Sequence, residues 1–482
     1  MFLIKRVAVS ILLLICSLTF VSCNNKDGST TNKTNEAGTD NLLAFTGSEM
    51  DLIMWYDIDN GSLINARPDK GWWKLNPEYP ADPVDKQQYR TTTSLLGKYE
   101  SQDPKVIKQH AYWIKALGCN VIASDLTNSI SARLPNKNPG QIAFYRNVNK
   151  AFELQLKYLA EINEFDAPSA YPTIRLNGEK YDDLKLMLDD MYILYEKYPT
   201  KWYKLDDGTE SKVKPFIVIF ADGALLKQWV TQGIPLNDDR FNIRWSNGFL
   251  VAQEGVTQLD SNKNRKIAGN MPYWLFVENT KNINKNGYYE PIYKLMPDGR
   301  RVEQMITWAS VNLGGRNWDG LLDEIDGKKP IERYTEPVYS IRPKALLVNR
   351  FNYPMGWGNE PQEGISRNKS THMEPNVDWG FLVFNNVANE LYKVRGYEKK
   401  SPEIPALNSF DKEKNLLSIK LDNYPLEYRI SNNEDLSGSE WTFLNVGTGG
   451  IKINSKIDIT KKLYIQSRNS FGESLIGDLT LS

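Results

Sequence analysis

SQDPKVIKQHAYWIKALGCNVIASDLTN (101–128) is the stretch that settles the architecture of most of the chain. Its first part reads as a helix. Ser101 or Asp103 can cap it, Pro104 suits the first turn, Val106, Ile107, Ile114 and Leu117 recur at helical spacing, and Gly118 can close it. NVIASDLTN (120–128) follows at once as a short apolar strand, and DLIMWYDI (51–58) upstream is another. Two such strands joined through a helix pair in parallel, because the helix carries the chain back across the sheet.

The alternation continues downstream. KAFELQLKYLAEINEF (150–165) and YDDLKLMLDDMYILYEKY (181–198) read as helices. AYPTIRLNG (170–178), KPFIVIFADG (214–223), RFNIRWSNG (240–248) and PYWLFVEN (272–279) read as strands. RVEQMITWASV (301–311) reads as a helix, KALLVNRFN (344–352) as the last strand and FLVFNNVANELYKVRG (381–396) as a closing helix. Strands and helices in this order predict an α/β fold, a (β/α)8 TIM-type barrel over 49–400. An open doubly wound sheet is the competing arrangement. The early strands lack the Gly-rich phosphate loop that such a sheet commonly carries.

After residue 400 the texture changes. SPEIPALNSF (401–410) is a proline-bearing linker, followed by the short apolar runs NLLSIKL, LEYRISN, WTFLNV, KLYIQSRNS and LIGDLTL. Residues 403–482 are expected to form a C-terminal all-β sandwich of the immunoglobulin or fibronectin III kind. YIQSRNSFGES (464–474) resembles the closing hairpin of a type III module.

The N-terminus is a targeting segment. MFLIKR is basic, and VAVSILLLICSLTFV (7–21) is apolar but shorter than the roughly 20 residues a membrane span needs. FVSC (20–23) resembles a bacterial lipobox, with Phe20 where leucine is more usual. The expectation is a lipoprotein signal over 1–22, lipid on Cys23 and a flexible polar tether over 23–48. That places the chain in a bacterial cell envelope, held at the membrane by its lipid only. An ordinary secretory signal is the alternative.

The 482 residues carry 59 basic and 59 acidic side chains, a balance that argues against nucleic acid as a partner. Once Cys16 leaves with the signal and Cys23 takes lipid, Cys119 has no cysteine to pair with. His110 and His372 are not in zinc-like spacing, so no metal and no cofactor is expected. The 13 Trp and 25 Tyr suit stacking on sugar faces as well as core packing. Trp55, Trp72 and Trp73 could serve either purpose. The expected partner is an oligo- or polysaccharide, bound by a monomer.

In a barrel, function gathers at the carboxyl ends of the strands. Asp57, Asp125, Asn128, Arg175, Asn177, Asp222, Trp245, Asn247, Glu278 and Asn279 all follow apolar runs there, although each alone suits a cap or turn. GWGNEPQEGI (356–365), past the last strand, is more specific. It sets Glu360 and Glu363 three apart, with Trp357 close by and Pro361 disfavouring helical geometry at Glu360. Cleaving a glycosidic bond needs one group to protonate the departing oxygen and a second, ionised, to handle a nucleophile. Two neighbouring carboxyls push each other's pKa values apart, which suits that division. A solvated acidic loop is the other way to read the pair.

NEPQEGI followed by HMEPN (372–376) resembles NEWHEGT followed by QIEP in glycoside hydrolase family 99, which contains endo-acting α-mannosidases. YESQDPKVIKQHAYWIKALGCNVIASD (99–125), WYD (55–57) and GWWKLNPEYP (71–80) resemble that family's early motifs. The resemblance implies a (β/α)8 barrel and cleavage with retention through a 1,2-anhydro sugar. It implies that Glu360 accepts the proton of the substrate's 2-hydroxyl and that Glu363 is the acid/base. Glu374 would orient the site or touch sugar, with Trp357, Asp57, Tyr56, Asp125, Asn128, Trp245 and Glu278 as further substrate-binding candidates. Pro361 and Gln362 replace the family's Trp-His, and RNKSTH (367–372) lengthens the gap before Met373. The expected function is therefore a retaining glycoside hydrolase. The alternative is a carbohydrate-binding surface lipoprotein that keeps the cleft without catalysis. A glycosyltransferase-like relative is a third reading, disfavoured because nucleotide-sugar donors are cytoplasmic.

Overall fold

The structure, a computed structural model, describes residues 42–58, 94–97, 99–127, 139–176, 180–221, 223–246, 258–259, 265–266, 274, 294–296, 298–308, 324, 326–352, 373–377 and 379–481. Cys23, Asn128, Glu278, Trp357, Glu360 and Glu363 lie outside them. No helix among the described residues is long and apolar enough to cross a membrane.

The strands begin with β1 (Asp51–Asp57), β2 (Val121–Leu126), β3 (Ser169–Arg175), β4 (Phe216–Phe220) and β5 (Asn242–Ser246). A short antiparallel pair, β6 (Gln258–Leu259) and β7 (Arg265–Lys266), follows. β8 (Lys294–Leu295), β9 (Val302–Trp308) and β10 (Ala345–Asn349) complete this half of the chain. Between them run α1 (Pro104–Ala116), α2 (Pro139–Glu161), α3 (Tyr181–Lys197), α4 (Gly223–Thr231), α5 (Pro330–Thr335) and α6 (Val338–Ile341), with α7 (Leu382–Arg395) after β10.

The sheet order is β5-β4-β3-β2-β1-β10-β9-β8. Every pairing in it is parallel except β8 with β9. The strands are buried on both faces, which is why they read as unbroken apolar runs. Register places Asp57, Asp125, Thr173, Val218 and Arg244 on one face. Trp55 shares that face by alternation and stacks on Phe220 of β4, with ring centroids 6.1 Å apart. Two strands, β2 and β3, lie between these rings along the sheet, so the sheet is strongly curled and this face is concave.

Local chemistry explains the helix ends. The Asp103 carboxylate accepts the Lys105 N–H at 2.8 Å and Pro104 occupies the first turn. Gly118 then takes φ +86°, where a Cβ would stand 3.2 Å from the Tyr392 ring. At α3 the Asp183 carboxylate accepts the Lys180 N–H at 2.8 Å. The expected helix over 301–311 is a strand instead, β9. Val302 to Thr307 are all buried, so no polar stripe exists to mark either period, and pairing with β10 decided the outcome. Of the expected strand 272–279, Trp274 alone is described; its N–H donates to Trp245 O at 2.9 Å beside β5.

The C-terminal strands are β11 (Leu407–Asp411), β12 (Leu416–Ile419), β13 (Glu427–Ser431), β14 (Thr442–Phe443), β15 (Ile451–Lys452), β16 (Leu463–Asn469), β17 (Gly472–Glu473) and β18 (Gly477–Leu479). They form two antiparallel sheets, β11-β12-β15 and β14-β13-β16-β17 with β18 on β16. This β-sandwich rests on α1. Tyr112 Oη donates to Pro425 O at 2.8 Å, and the Gly447 N–H donates to Gln109 Oε1 at 3.1 Å. Trp113 packs against Phe443, and one continuous apolar core runs through both parts.

Candidate functional site

The carboxyl end of the curled sheet collects polar groups on its concave face. Asp57 closes β1 and pairs in register with Asp125 of β2. Asp57 is buried, Asp125 half-buried, and a hydrogen bond joins their carboxyls. Burial pushes the Asp125 carboxyl above the usual carboxylate range. Its hydrogen bonds with Thr127, at 2.8 Å from the backbone N–H, and with Asp57, together with the charge of Arg350, oppose that rise.

The chain just after β10 closes over this pair. Asn352 clamps the Asp57 backbone: Oδ1 accepts its N–H and Nδ2 donates to its carbonyl, both at 2.9 Å. Phe351 N donates to Trp55 O at 2.9 Å, and Arg350 is buried beside the acids. The Met373 N–H donates back to Phe351 O at 2.9 Å. Residues 352 and 373, which bracket Glu360 and Glu363, are therefore fixed at the same end of the sheet.

A second polar cluster lies behind, between the sheet and α1. Alternation turns Tyr56 away from Asp57, and its hydroxyl meets His110 Nδ1 at 2.8 Å. His110 Nε2 lies 3.1 Å from Glu374 Oε1, and Tyr99 Oη donates to Glu374 Oε2 at 3.0 Å. Glu374 is 0 % exposed, so its carboxylate faces this cluster and not solvent.

At the opposite end of the strands Arg244 forms a buried ion cluster. Its Nε lies 2.7 Å from Glu303 Oε1 and its Nη2 lies 2.9 Å from Asp207 Oδ2. Trp274 Nε1 donates to the same Glu303 oxygen at 2.6 Å. The β8–β9 register is irregular at this point.

Of the residues expected at the site, the structure brings Asp57 and Asp125 together. Tyr56 and Glu374 sit in the cluster against α1. Trp245 is fully buried, with its indole donating to Leu236 O at 3.1 Å, and it alternates away from Arg244 and the concave face. Tyr56, Trp245 and Glu374 therefore do not share the concave face with Asp57 and Asp125. Among the described residues no group of three His, Cys, Asp or Glu side chains could hold a metal. Arg350 and Asn352 were missed; NRFN (349–352) stands at a strand's carboxyl end, the signal that singles out Asp57 and Asp125. Thr173 was missed because only the β2–β3 register places it beside Asp125.

No family model matches the chain, and no curated protein does. Solved structures similar to it include a GH99 endo-alpha-mannosidase from Bacteroides thetaiotaomicron in complex with bis-tris-propane. It is 13% identical, with 72% of this chain and 98% of that one covered and a TM-score of 0.42. Another structure of a GH99 endo-alpha-mannosidase from that organism gives 12% identity, 72% and 99% coverage and a TM-score of 0.40. A glycoside hydrolase-like protein gives 12%, 73%, 96% and 0.40. At such identities and scores neither a family nor an activity follows for this chain.

Proposed function

We propose that the protein is a retaining glycoside hydrolase acting within a glycan chain, built on a closed (β/α)8 barrel and lipid-anchored through Cys23. One observation carries this reading. Asn352 and Met373, the anchors on either side of the segment bearing Glu360 and Glu363, are bonded at the carboxyl end of the sheet, beside Asp57, Asp125 and Arg350. Paired acids between two such anchors in the sequence suit the two proton transfers of glycoside cleavage. Ring closure is supported by the contacts that Arg244 and Trp245 of β5 make with Glu303 and Trp274.

The sequence resemblance assigns the steps. Glu360 takes the proton of the 2-hydroxyl, whose oxygen attacks the anomeric carbon. Glu363 protonates the departing oxygen as that bond breaks. Water deprotonated by Glu363 then opens the anhydro sugar, and Glu360 returns its proton to the 2-oxygen. An endo-α-mannosidase-like activity is the finer form of this proposal.

The test is reducing-end release from a panel of mannans and host glycans by the native chain and by Glu363→Gln. Turnover in the native chain, lost in the variant and with retained product configuration, supports the reading; inversion rules out this mechanism. The second reading, a non-catalytic carbohydrate-binding lipoprotein, is favoured by the burial of Glu374 against His110 and Tyr99. It expects binding without turnover in either protein.

A further inference from the structure

The outer face of the sandwich sheet β14-β13-β16-β17 carries a cation with no counter-charge. Register pairs Glu427 with Arg468 and Arg429 with Gln466, so these four side chains share one face. Ile430 and Ile465 take the other, towards the core. Arg468 is neutralised where it stands: its Nε and Nη2 donate to the two Glu427 oxygens at 2.7 and 3.0 Å. Arg429 is not. Its Nε and Nη2 both donate to Gln466 Oε1, at 2.9 and 2.6 Å, and it forms no ion pair among the described residues.

The surroundings hold that cation still. Gln466 is 8 % exposed, and its Nε2 donates to Ser474 O at 2.7 Å, which fixes the oxygen that Arg429 meets. Trp441, just before β14, has its ring centroid 4.8 Å from the Arg429 guanidinium carbon and 4.4 Å from that of Arg468. Arg429 and Trp441 are both half-buried, so each still presents surface to a ligand. A guanidinium held by a neutral amide keeps its full charge, and Nη1 has no partner among the described residues.

The chemistry narrows the ligand. A planar guanidinium binds best to a group with two anionic oxygens, such as a carboxylate or a sulfate. A metal cation would be repelled. The indole beside Arg429 suits an apolar ring face next to that anion. The chain's balance of 59 basic and 59 acidic side chains argues against nucleic acid as the source of the charge.

We propose that Arg429 and Trp441 form an accessory site on the β-sandwich for an acidic sugar, its carboxylate or sulfate on the Arg429 guanidinium and its ring against the indole. The ligand's being a glycan rests on the hydrolase reading above; its charge rests on Arg429.

The experiment is isothermal titration of the full chain with trigalacturonate, with κ-carrageenan oligosaccharides, whose only anion is sulfate, and with neutral galacto-oligosaccharides. Native protein is compared with Arg429→Gln and with Lys452→Gln, which removes an exposed cation from the other sandwich sheet. Arg429→Lys replaces Arg429→Gln if that variant does not fold. At least one acidic set binds, and which one binds tells carboxylate from sulfate. Arg429→Gln weakens that binding roughly tenfold or more, and Arg429→Lys roughly threefold or more, because lysine lacks the fork. Lys452→Gln leaves it within about twofold. No acidic binding at millimolar concentration, an unchanged affinity in the Arg429 variant, an equal loss in Lys452→Gln, or neutral binding with the same dependence on Arg429 overturns the site. The two readings fail separately. Turnover lost in Glu363→Gln with no Arg429-dependent binding sinks the accessory site alone. Arg429-dependent binding without turnover sinks the hydrolase alone.

Discussion

Arg244 Nε lies 2.7 Å from Glu303 Oε1, although β5 and β9 stand near opposite ends of the sheet. Curling alone brings them together, and Asp207 and Trp274 complete the cluster. Burial disfavours the Arg244 charge, but the two carboxylates hold its guanidinium firmly protonated. Removing the cation leaves two buried carboxylates without it. Arg244→Met is expected to cost about 3–5 kcal/mol in urea unfolding. A loss under about 1 kcal/mol would mean the cluster is solvated.

Asp207 gives that cluster a pH signature. Burial raises its carboxyl, but bonds from Thr209 and Arg244 outweigh this and leave it below the usual range. A depressed folded pKa contributes stability above the unfolded value and loses it as pH falls through the folded one. The melting temperature of the native chain should therefore fall more steeply below about pH 4 than that of Asp207→Asn.

Asp125 has the opposite sign. Its raised carboxyl means the folded state holds the proton more tightly than the unfolded chain. Stability from this group is intact below the usual aspartate range of about pH 4 and declines as pH rises through the folded value. Asp125→Asn is expected to melt higher than native protein at pH 7 and to lose that advantage near pH 3. A lower melting temperature for the variant at pH 7 would show that the charged form is favoured in the fold.

His110 links Tyr56 on the sheet to Glu374, which Tyr99 also holds. The ring is packed edge-on against Tyr99 and Phe351. His110→Phe preserves the shape and removes the bonds, leaving the buried Glu374 carboxylate with less support. The expected loss is about 1.5–3 kcal/mol in denaturant unfolding, with Glu374→Gln recovering part of it in the double variant.

The β-sandwich and the curled sheet are expected to unfold as one unit. A Cβ at Gly447 would stand 2.1 Å from Lys105 O of α1, so the backbones touch. Gly447→Ala should destabilise by about 1–3 kcal/mol while calorimetry still shows a single transition. Two separated transitions in the native chain would show that the sandwich is an independent module.

The contrast between β1 and β9 shows how far sequence carried. DLIMWYDI and VEQMITW are both short apolar runs, yet turn residues and the helix after DLIMWYDI frame it as a strand, while VEQMITW has spacing compatible with either period. Pairing with Ala345 to Asn349 is non-local, and it made β9 a strand. Asp57 and Asp125 were legible because a carboxyl at a strand's carboxyl end follows from the order of residues. The surroundings of Glu374 were not legible, because they depend on His110, 264 residues away.

By itself the sequence determined the alternation of strands and helices from β1 to β5 and the caps of α1, since these depend on neighbours within a few positions. Tertiary structure alone decided which side chains share the concave face. That depends on register: a one-residue shift of β2 would exchange Asp125 for Ser124 there, and one of β3 would exchange Thr173 for Pro172, turning the displaced side chains to the opposite face.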